Sequence, residues 1–226
     1  YQKGFATRSG RGGKEYAQYG IGQPLLAVPF VWLARLAAPH LPQAFLEALV
    51  YRGVQYHEGT PVAFAMRFPV SRFNQLITAL TCWLIYWLCV NLYSSRRLGI
   101  LTALAYLTAT MALPHSKTFF TEPLAALGAL ASLALARKAF DDESPRTSLL
   151  ALSGFCFGFA VLTRMDSLMM GPGLGLYVLW KLWRRCNADW KSILTGALRW
   201  GVPIAACLVM ILSLNTIRFG SPLASG

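Results

Sequence analysis

Long apolar stretches recur along this chain of 226 residues, and they restrict its possible folds more than any other feature. Most are about 16 to 20 residues long, close to the length that lets an α-helix cross a hydrocarbon core of about 30 Å. With 55% hydrophobic and only 13% charged residues, the chain is more apolar than a soluble domain of this size requires. The predicted fold class is therefore an all-α, polytopic integral membrane protein. We predict about six transmembrane helices, over residues 73–94, 98–114, 119–136, 148–163, 167–182 and 196–214.

The connections between these predicted helices alternate in charge. One set is rich in Lys and Arg and contains Arg96, Arg97, Arg137, Lys138, Arg146, Lys181, Arg184, Arg185, Lys191 and Arg199. The other set carries single cations, at Lys117, Arg164 and Arg218. Since short cytoplasmic loops concentrate Lys and Arg, we predict that the first set is cytoplasmic and the second periplasmic or extracellular, as in a bacterial inner membrane. The net charge of +12 is not gathered in one patch with aromatic residues, so we predict no nucleic-acid partner.

Residues 1–72 are predicted to form an extracytoplasmic loop before the first transmembrane helix. The glycine-rich start of this loop, GFATRSGRGGKEY, is predicted to be flexible. Residues 24–38 are apolar but short and interrupted by prolines, which favours an interfacial or re-entrant helix. Residues 73–226 make up the predicted transmembrane domain. Because the chain begins at Tyr1 without a methionine, we expect it to be an internal fragment of a longer membrane module.

Cysteines and glycines lie mostly within the apolar stretches. The five cysteines show neither a disulfide framework nor the spacing of a metal site. Two glycine-rich segments, GFCFG with Gly154 and Gly158 and GPGLG at residues 171–175, predict close helix packing. A phosphate-binding loop is the alternative for GPGLG, although no strand precedes it.

Unusual polar residues collect at the extracytoplasmic ends of the predicted helices. They are His115, Lys117, Glu122, Arg164, Asp166, Asn215 and Arg218. The helix before Arg164 has about 16 residues, so an ion pair of Arg164 with Asp166 would lie below the headgroups and line a protein cavity. Together these cations and acids predict a site for an anionic headgroup and a polar acceptor. Simpler roles stay open, namely a helix start for Glu122, a hairpin-closing ion pair for Arg164, and an interfacial anchor for Arg218.

Six segments carry motifs that occur together, and in this order, in one family of membrane enzymes. The segments are QYGIGQPLLAVPF, RFPVSRFNQLITALTCWLIYWL, SSRRLG, FFTEPLAAL, GFAVLTRMDSLMMGP and NTIRFGSPLASG. In order and topology they resemble the GT-C class of polytopic glycosyltransferases, in the branch with bacterial aminoarabinose transferases and protein O-mannosyltransferases. Glu122 stands at the acid of the family's acid-Pro-Leu helix start, and Arg164 at its Leu-Thr-Arg/Lys basic position.

The resemblance implies transfer of a sugar from a polyprenyl-phosphate donor to a lipid, protein or glycan acceptor at the outer face of the membrane. On this interpretation the donor phosphate is bound by Lys117, Arg164 and Arg218. Glu122 and Asp166 would orient these cations or position the acceptor. A divalent metal ion is the cofactor that the resemblance brings into consideration, with Glu122 and His115 as candidate ligands. Relatives carry their main catalytic acid early in the outer loop, so we expect it upstream of Tyr1 and expect the fragment alone to be inactive.

Two other classes of protein fit the same pattern. A transporter or flippase for a lipid-linked or amphipathic anion would also gather cations and acids near short or broken helices. It predicts polar residues that continue toward the cytoplasmic side, whereas the inner halves of the predicted helices are mostly Leu, Ala, Phe and Trp, with Asn91 as an exception. A noncatalytic membrane scaffold subunit would not require the charged turns to converge.

Overall fold

A computed structural model describes residues 7–17, 20–45, 47–48, 61–142, 144–186 and 189–224, with the side chains of 61–67 and 71 outside the description. The structure is mostly helical. The strands are β1 (Thr7–Ser9) and β2 (Glu15–Ala17). The main helices are α1 (Gly22–Ala37), α2 (Pro61–Tyr93), α3 (Arg96–Ala109), α4 (Ala112–Ser116), α5 (Glu122–Ala139), α6 (Thr147–Thr163), α7 (Gly171–Arg185) and α8 (Trp190–Phe219). A 3₁₀ helix, Met165–Met170, joins α6 to α7.

The predicted spans all fall on helices, but two of the predicted segments are not continuous α-helices. The segment 98–114 breaks after Ala109, and 167–182 begins in the 3₁₀ helix. In the part of the chain that the structure describes, Phe68–Tyr93 and Trp190–Phe219 are long and apolar enough to cross a membrane, and Thr147–Thr163 is a shorter apolar helix. Six membrane crossings therefore stay a prediction, as does an interfacial position for α1.

The glycine-rich segment that the sequence predicts to be a flexible loop contains a short β-hairpin. Residues Thr7–Ser9 pair with Glu15–Ala17 as an antiparallel hairpin, with Arg8 opposite Tyr16. Gly12 and Gly13 both have positive φ, of 72° and 71°, which glycine adopts without strain and which lets the chain reverse. The prediction of an all-α chain therefore missed a short sheet.

The helices pack side by side with alternating direction. Ser132 of α5 bonds Ser153 of α6, and Arg137 near the end of α5 bonds the Asn91 carbonyl near the end of α2. These contacts place the cluster of Glu122, Arg164 and Arg218 at one end of the bundle and most of the other Lys and Arg residues at the opposite end. We call the end with Glu122, Arg164 and Arg218 the pocket end. The other is the basic end, where Arg96, Arg97, Arg137, Lys138, Arg146, Arg184, Arg185 and Lys191 lie on the helix termini.

Buried hydroxyl groups join three helices between these ends. The Ser153 hydroxyl donates to the Ser132 carbonyl at 2.7 Å and accepts from the Trp200 indole N–H at 3.2 Å. Ser132 and Ser153 are fully buried. Such hydrogen bonds hold helices together where lipid and helix surfaces are equally apolar. They fix α5, α6 and α8 as the centre of the bundle.

Gly154 and Gly158 allow α6 and α8 to approach closely, as the GFCFG segment predicts. A Cβ on Gly154 would overlap the Trp200 carbonyl oxygen, and one on Gly158 would lie 2.9 Å from Cys207 Sγ. The prediction of close packing is confirmed here. In GPGLG it is weaker, because Gly173 has nothing near it among the described residues and Gly175 makes an ordinary contact.

We expect Gly154→Ala to destabilise the protein although alanine is the better helix former. The methyl group meets backbone rather than a movable side chain, so the loss should be about 1–3 kcal/mol. Gly201→Ala, on α8 next to Trp200, is the matched control, since it meets nothing within 4 Å and should leave stability equal or slightly higher. Thermal unfolding in detergent, followed by tryptophan fluorescence, compares the two. Equal melting temperatures would contradict the close α6–α8 contact.

Candidate functional site

Arg164 forms the centre of the polar cluster at the pocket end. It caps the C-terminus of α6 in an extended conformation, and its N–H bonds the Ala160 carbonyl at 2.8 Å. Its side chain bonds both oxygens of Asp166, with Nε–Oδ1 at 3.0 Å and Nη2–Oδ2 at 2.7 Å, and its Nη1 bonds Glu122 Oε1. A planar guanidinium can serve two carboxylates in this way, whereas an ammonium cannot. The sequence-predicted pair of Arg164 with Asp166 is present, and Glu122 joins it from α5.

The hydrogen bonds between Arg164 and Asp166 favour the charged form of each of these two side chains. The hydrogen bond from Arg164 lowers the pKa of Asp166, and the same bond to Asp166 raises the pKa of Arg164. Because the Asp166 pKa is depressed on folding, its stabilising contribution is present at neutral pH and is lost only as the pH falls through the acidic range. All three side chains are about a third to a half exposed, where an ion pair contributes little to stability. The ion pairs of this cluster therefore add little to the stability of the fold, and a functional role is the better explanation for them.

Arg164 and Asp166 line a cavity of about 330 Å³ between the ends of α6 and α8. Arg218 and Asn215, from the last turns of α8, line the opposite wall. The volume is in the range of small-molecule sites. Within the described residues no carboxylate lies within ion-pairing distance of Arg218, so its charge faces the cavity region uncompensated. This arrangement suits an anionic group between two arginines.

The described residues before α1 line part of this cavity. Ala17, Gly20 and Ile21 lie on its wall. A Cβ on Gly20 would overlap the Leu162 carbonyl oxygen, which shows how closely this segment packs on the end of α6. The hairpin in turn packs on the end of α8, where the Tyr16 ring meets the Phe219 ring edge-on at 6.0 Å.

Lys117 and His115 lie at the pocket end but do not line the cavity. Lys117 is exposed on the segment between α4 and α5, with no ion-pair partner among the described residues. The His115 ring packs edge-on against Phe120, with 5.5 Å between centroids. The part of the chain that the structure describes holds no group of three metal-ligating side chains, and Glu122 is engaged by Arg164. The roles of these residues, including metal binding by Glu122 and His115, stay predictions.

Two buried amides are part of the site's framework, and the sequence reasoning assigned them no role. The fully buried Asn74 of α2 donates through Nδ2 to the carbonyls of Thr118 at 2.7 Å and Phe120 at 2.8 Å. Its Oδ1 accepts from Gln23 Nε2 of α1 at 3.1 Å. These bonds fix the segment that leads into Glu122. Each amide is a polar residue in or beside an apolar stretch, and this pattern could have indicated a buried hydrogen-bonding role, since buried polar side chains require partners.

Two helices of membrane-crossing length among the described residues and the sequence family together support an integral membrane protein, with a cavity lined by charged side chains at one end of the bundle. The chain belongs to the dolichyl-phosphate-mannose-protein mannosyltransferase family, whose sequence profile matches residues 60–211. This family consists of membrane glycosyltransferases that use a polyprenyl-phosphate sugar donor. Neither a curated protein nor a solved structure matches the chain.

The match confirms the predicted family at this level, and the finer branch stays a prediction. The matched range includes Glu122, Arg164 and Asp166. Residues 18–30, which also carried the resemblance, lie before the matched range, and Arg218 lies after it.

Proposed function

We propose that this chain forms part of an enzyme that transfers a sugar from a polyprenyl-phosphate donor to an acceptor, with the donor phosphate bound at the pocket end of the bundle on the extracytoplasmic face. The observation that supports this most is the position of Arg164, which is held between Glu122 and Asp166 on one wall of a cavity whose other wall carries Arg218. The family membership supplies the class of donor.

In the proposed reaction the bond between the sugar C1 and the phosphate oxygen breaks, and a bond from C1 to the acceptor oxygen forms. The departing phosphate keeps the electron pair and gains negative charge, and fixed cations stabilise that charge in the transition state. Arg164 uses three of its five N–H groups on the two carboxylates, which leaves two for the phosphate. Arg218 would approach the phosphate from the other wall, and Lys117 is proposed as an outlying cation that attracts the donor.

The carboxylates have a positioning role in this proposal. Glu122 Oε1 and Asp166 hold the guanidinium plane, while Glu122 Oε2 is buried without a hydrogen-bond partner among the described groups. Glu122 is not among the residues that line the cavity, so its proposed role is to hold Arg164, and Asp166 is the carboxylate placed to meet the acceptor. The proton of the acceptor passes to a general base that we do not assign to any described residue.

The orientation in the membrane is also proposed. The bundle alternates in direction over the predicted spans, and the Lys- and Arg-rich connections lie together at the basic end. This pattern supports six crossings with the basic end in the cytoplasm and the pocket end outside.

A transporter would need polar groups along a path through the bundle. Between the two ends, α5 packs on α6 and α6 packs on α8 mainly through apolar side chains and glycines, and the buried Ser132 and Ser153 bond one another and Trp200. These contacts favour a site open to one end only, which supports the transferase.

The test is sugar transfer by the full-length gene product, purified in nanodiscs, from a panel of polyprenyl-phosphate-linked sugars. We expect turnover with such a donor, and expect Arg218→Gln to raise its KM about tenfold, the size of one charge-assisted contact of about 1.4 kcal/mol. Arg199→Gln is the matched control, because it is an exposed arginine on the same helix far from the cavity, and its KM should match wild type. Absence of turnover with every donor, together with movement of donor lipid between leaflets, would favour the transporter instead.

A further inference from the structure

The last two turns of α7 carry cations stacked on aromatic rings. Lys181 Nζ lies 5.2 Å from the ring centroid of Trp180 and 5.9 Å from that of Tyr177. Arg184 Cζ lies 5.4 Å from the same Trp180 centroid. Residues four apart share a helix face, so Tyr177 with Lys181 and Trp180 with Arg184 form two adjacent pairs.

Two more tryptophans extend this group across the turn to α8. Trp183 meets Trp190 edge-on, with 5.4 Å between centroids. Trp180, Trp183 and Trp190 are 51%, 50% and 68% exposed, which is unusual for three neighbouring indoles. The opposite side of α7 is anchored in the bundle through the buried Val178 and Leu182.

Among the described residues, no carboxylate lies within ion-pairing distance of Lys181 or Arg184, although Asp141 acts electrostatically on the neighbouring Tyr177. The ion pairs among the described residues are Arg146 with Asp142 and Arg164 with Glu122 and Asp166, and none involves Lys181 or Arg184. Asp189, the nearest acid along the chain, is used as the N-cap of α8, where it accepts from the N–H groups of Lys191 and Ser192. An external anion would supply the missing charge.

We propose that the surface of Trp180, Lys181, Trp183, Arg184 and Trp190 binds the headgroup of an anionic phospholipid. The lipid phosphate would lie between Lys181 and Arg184, and the indoles would lie at headgroup depth, where amphipathic rings are favoured. The acyl chains would follow the exposed Leu176 and Leu179 on the same helix. The surface is at the basic end, away from the cavity, so the proposal does not depend on sugar transfer.

Native mass spectrometry of the purified protein with phosphatidylglycerol or phosphatidylcholine of identical chains tests this. We expect preferential binding of phosphatidylglycerol, reduced about 30-fold in Lys181→Gln/Arg184→Gln, which corresponds to about 2 kcal/mol for two cations. Arg96→Gln/Arg97→Gln is the matched control, since it removes two exposed cations at the same end that stack on no described ring, and it should lose less than about threefold.

Trp180→Leu keeps both cations but removes the ring on which both stack, and it should weaken phosphatidylglycerol binding several-fold. Melting temperatures in phosphatidylcholine show whether each variant is folded. Equal binding of the two lipids by wild type would overturn the proposal. So would equal losses in the two double variants, since binding would then follow total charge and not this surface.

Discussion

Arg164→Ala is expected to lower sugar transfer by at least about 100-fold while most of the protein remains folded. Removal of a fixed donor to a developing anion costs about 10²- to 10³-fold in rate. Here it also leaves Glu122 and Asp166 as neighbouring negative charges that would repel the donor phosphate. The effect on stability should be small, because the three side chains are partly exposed.

Arg146→Ala is the matched control for this change. Arg146 also bonds a carboxylate, that of Asp142, but at the basic end, and its loss should leave transfer unchanged. Arg164→Lys should recover only a small part of the activity, because an ammonium cannot bond both carboxylates in the observed geometry.

A third variant separates the two causes of lost activity. Arg164→Ala combined with Glu122→Gln and Asp166→Asn removes the repulsion between the acids but not the need for a cation. We expect this variant to be folded and still inactive. If Arg164→Ala keeps transfer within tenfold of wild type, the arginine is a structural ion pair and not part of the site.

Asn74→Leu is expected to destabilise the protein by about 3 kcal/mol or more. The substitution leaves the fully buried amide of Gln23 without its partner and removes the hydrogen bonds to the carbonyls of Thr118 and Phe120. A buried group left unpaired costs about 1–3 kcal/mol, and each lost hydrogen bond about 0.5–1.5 kcal/mol. Because this segment leads directly into Glu122, transfer activity should also fall in the protein that remains folded.

The same helix offers a control for Asn74. The Asn91 side chain also donates to a backbone carbonyl, that of Trp87 one turn earlier on the same helix. This side chain is exposed, and it makes no hydrogen bond to another described segment. Asn91→Leu should change the melting temperature by a degree or two at most. Gln23→Leu should lie between the two, because it removes one partner of Asn74 and also removes a buried oxygen that has no described partner. Equal effects of Asn74→Leu and Asn91→Leu would contradict a special role for the buried amide.

Some contacts in the candidate site can be predicted from residues that are close together in the sequence. Arg164 and Asp166 are two residues apart at a helix end, so their pairing follows from local geometry. Their contact with Glu122 joins residues 42 positions apart. The sequence predicts that Glu122 and Arg164 lie on the same side of the membrane, because consecutive helices alternate in direction, but it does not predict that the two side chains are in contact.

Other features depended on tertiary contacts that local sequence does not determine. Asn74 is marked as a buried polar residue by its apolar surroundings, but its partners come from segments that meet only in space, and the hairpin beside the cavity depends on the fit of Gly10 and Tyr16 to the end of α8. For Lys117 the charge pattern and the placement point in different directions, and its role stays a prediction. This lysine has the charge and the position along the chain that a phosphate site favours, yet its side chain is exposed outside the cavity.

The central claim is that a polyprenyl phosphate binds between Arg164 and Arg218, and photolabelling tests it most directly. A polyprenyl phosphate with a photoreactive group beside the phosphate would be crosslinked to the wild-type protein in nanodiscs, and the labelled peptides mapped by mass spectrometry. We predict labels on residues 161–166 and 211–219 that unlabelled polyprenyl phosphate displaces. Labels that are not displaced, or that are absent from residues 161–166 and 211–219, would contradict the account.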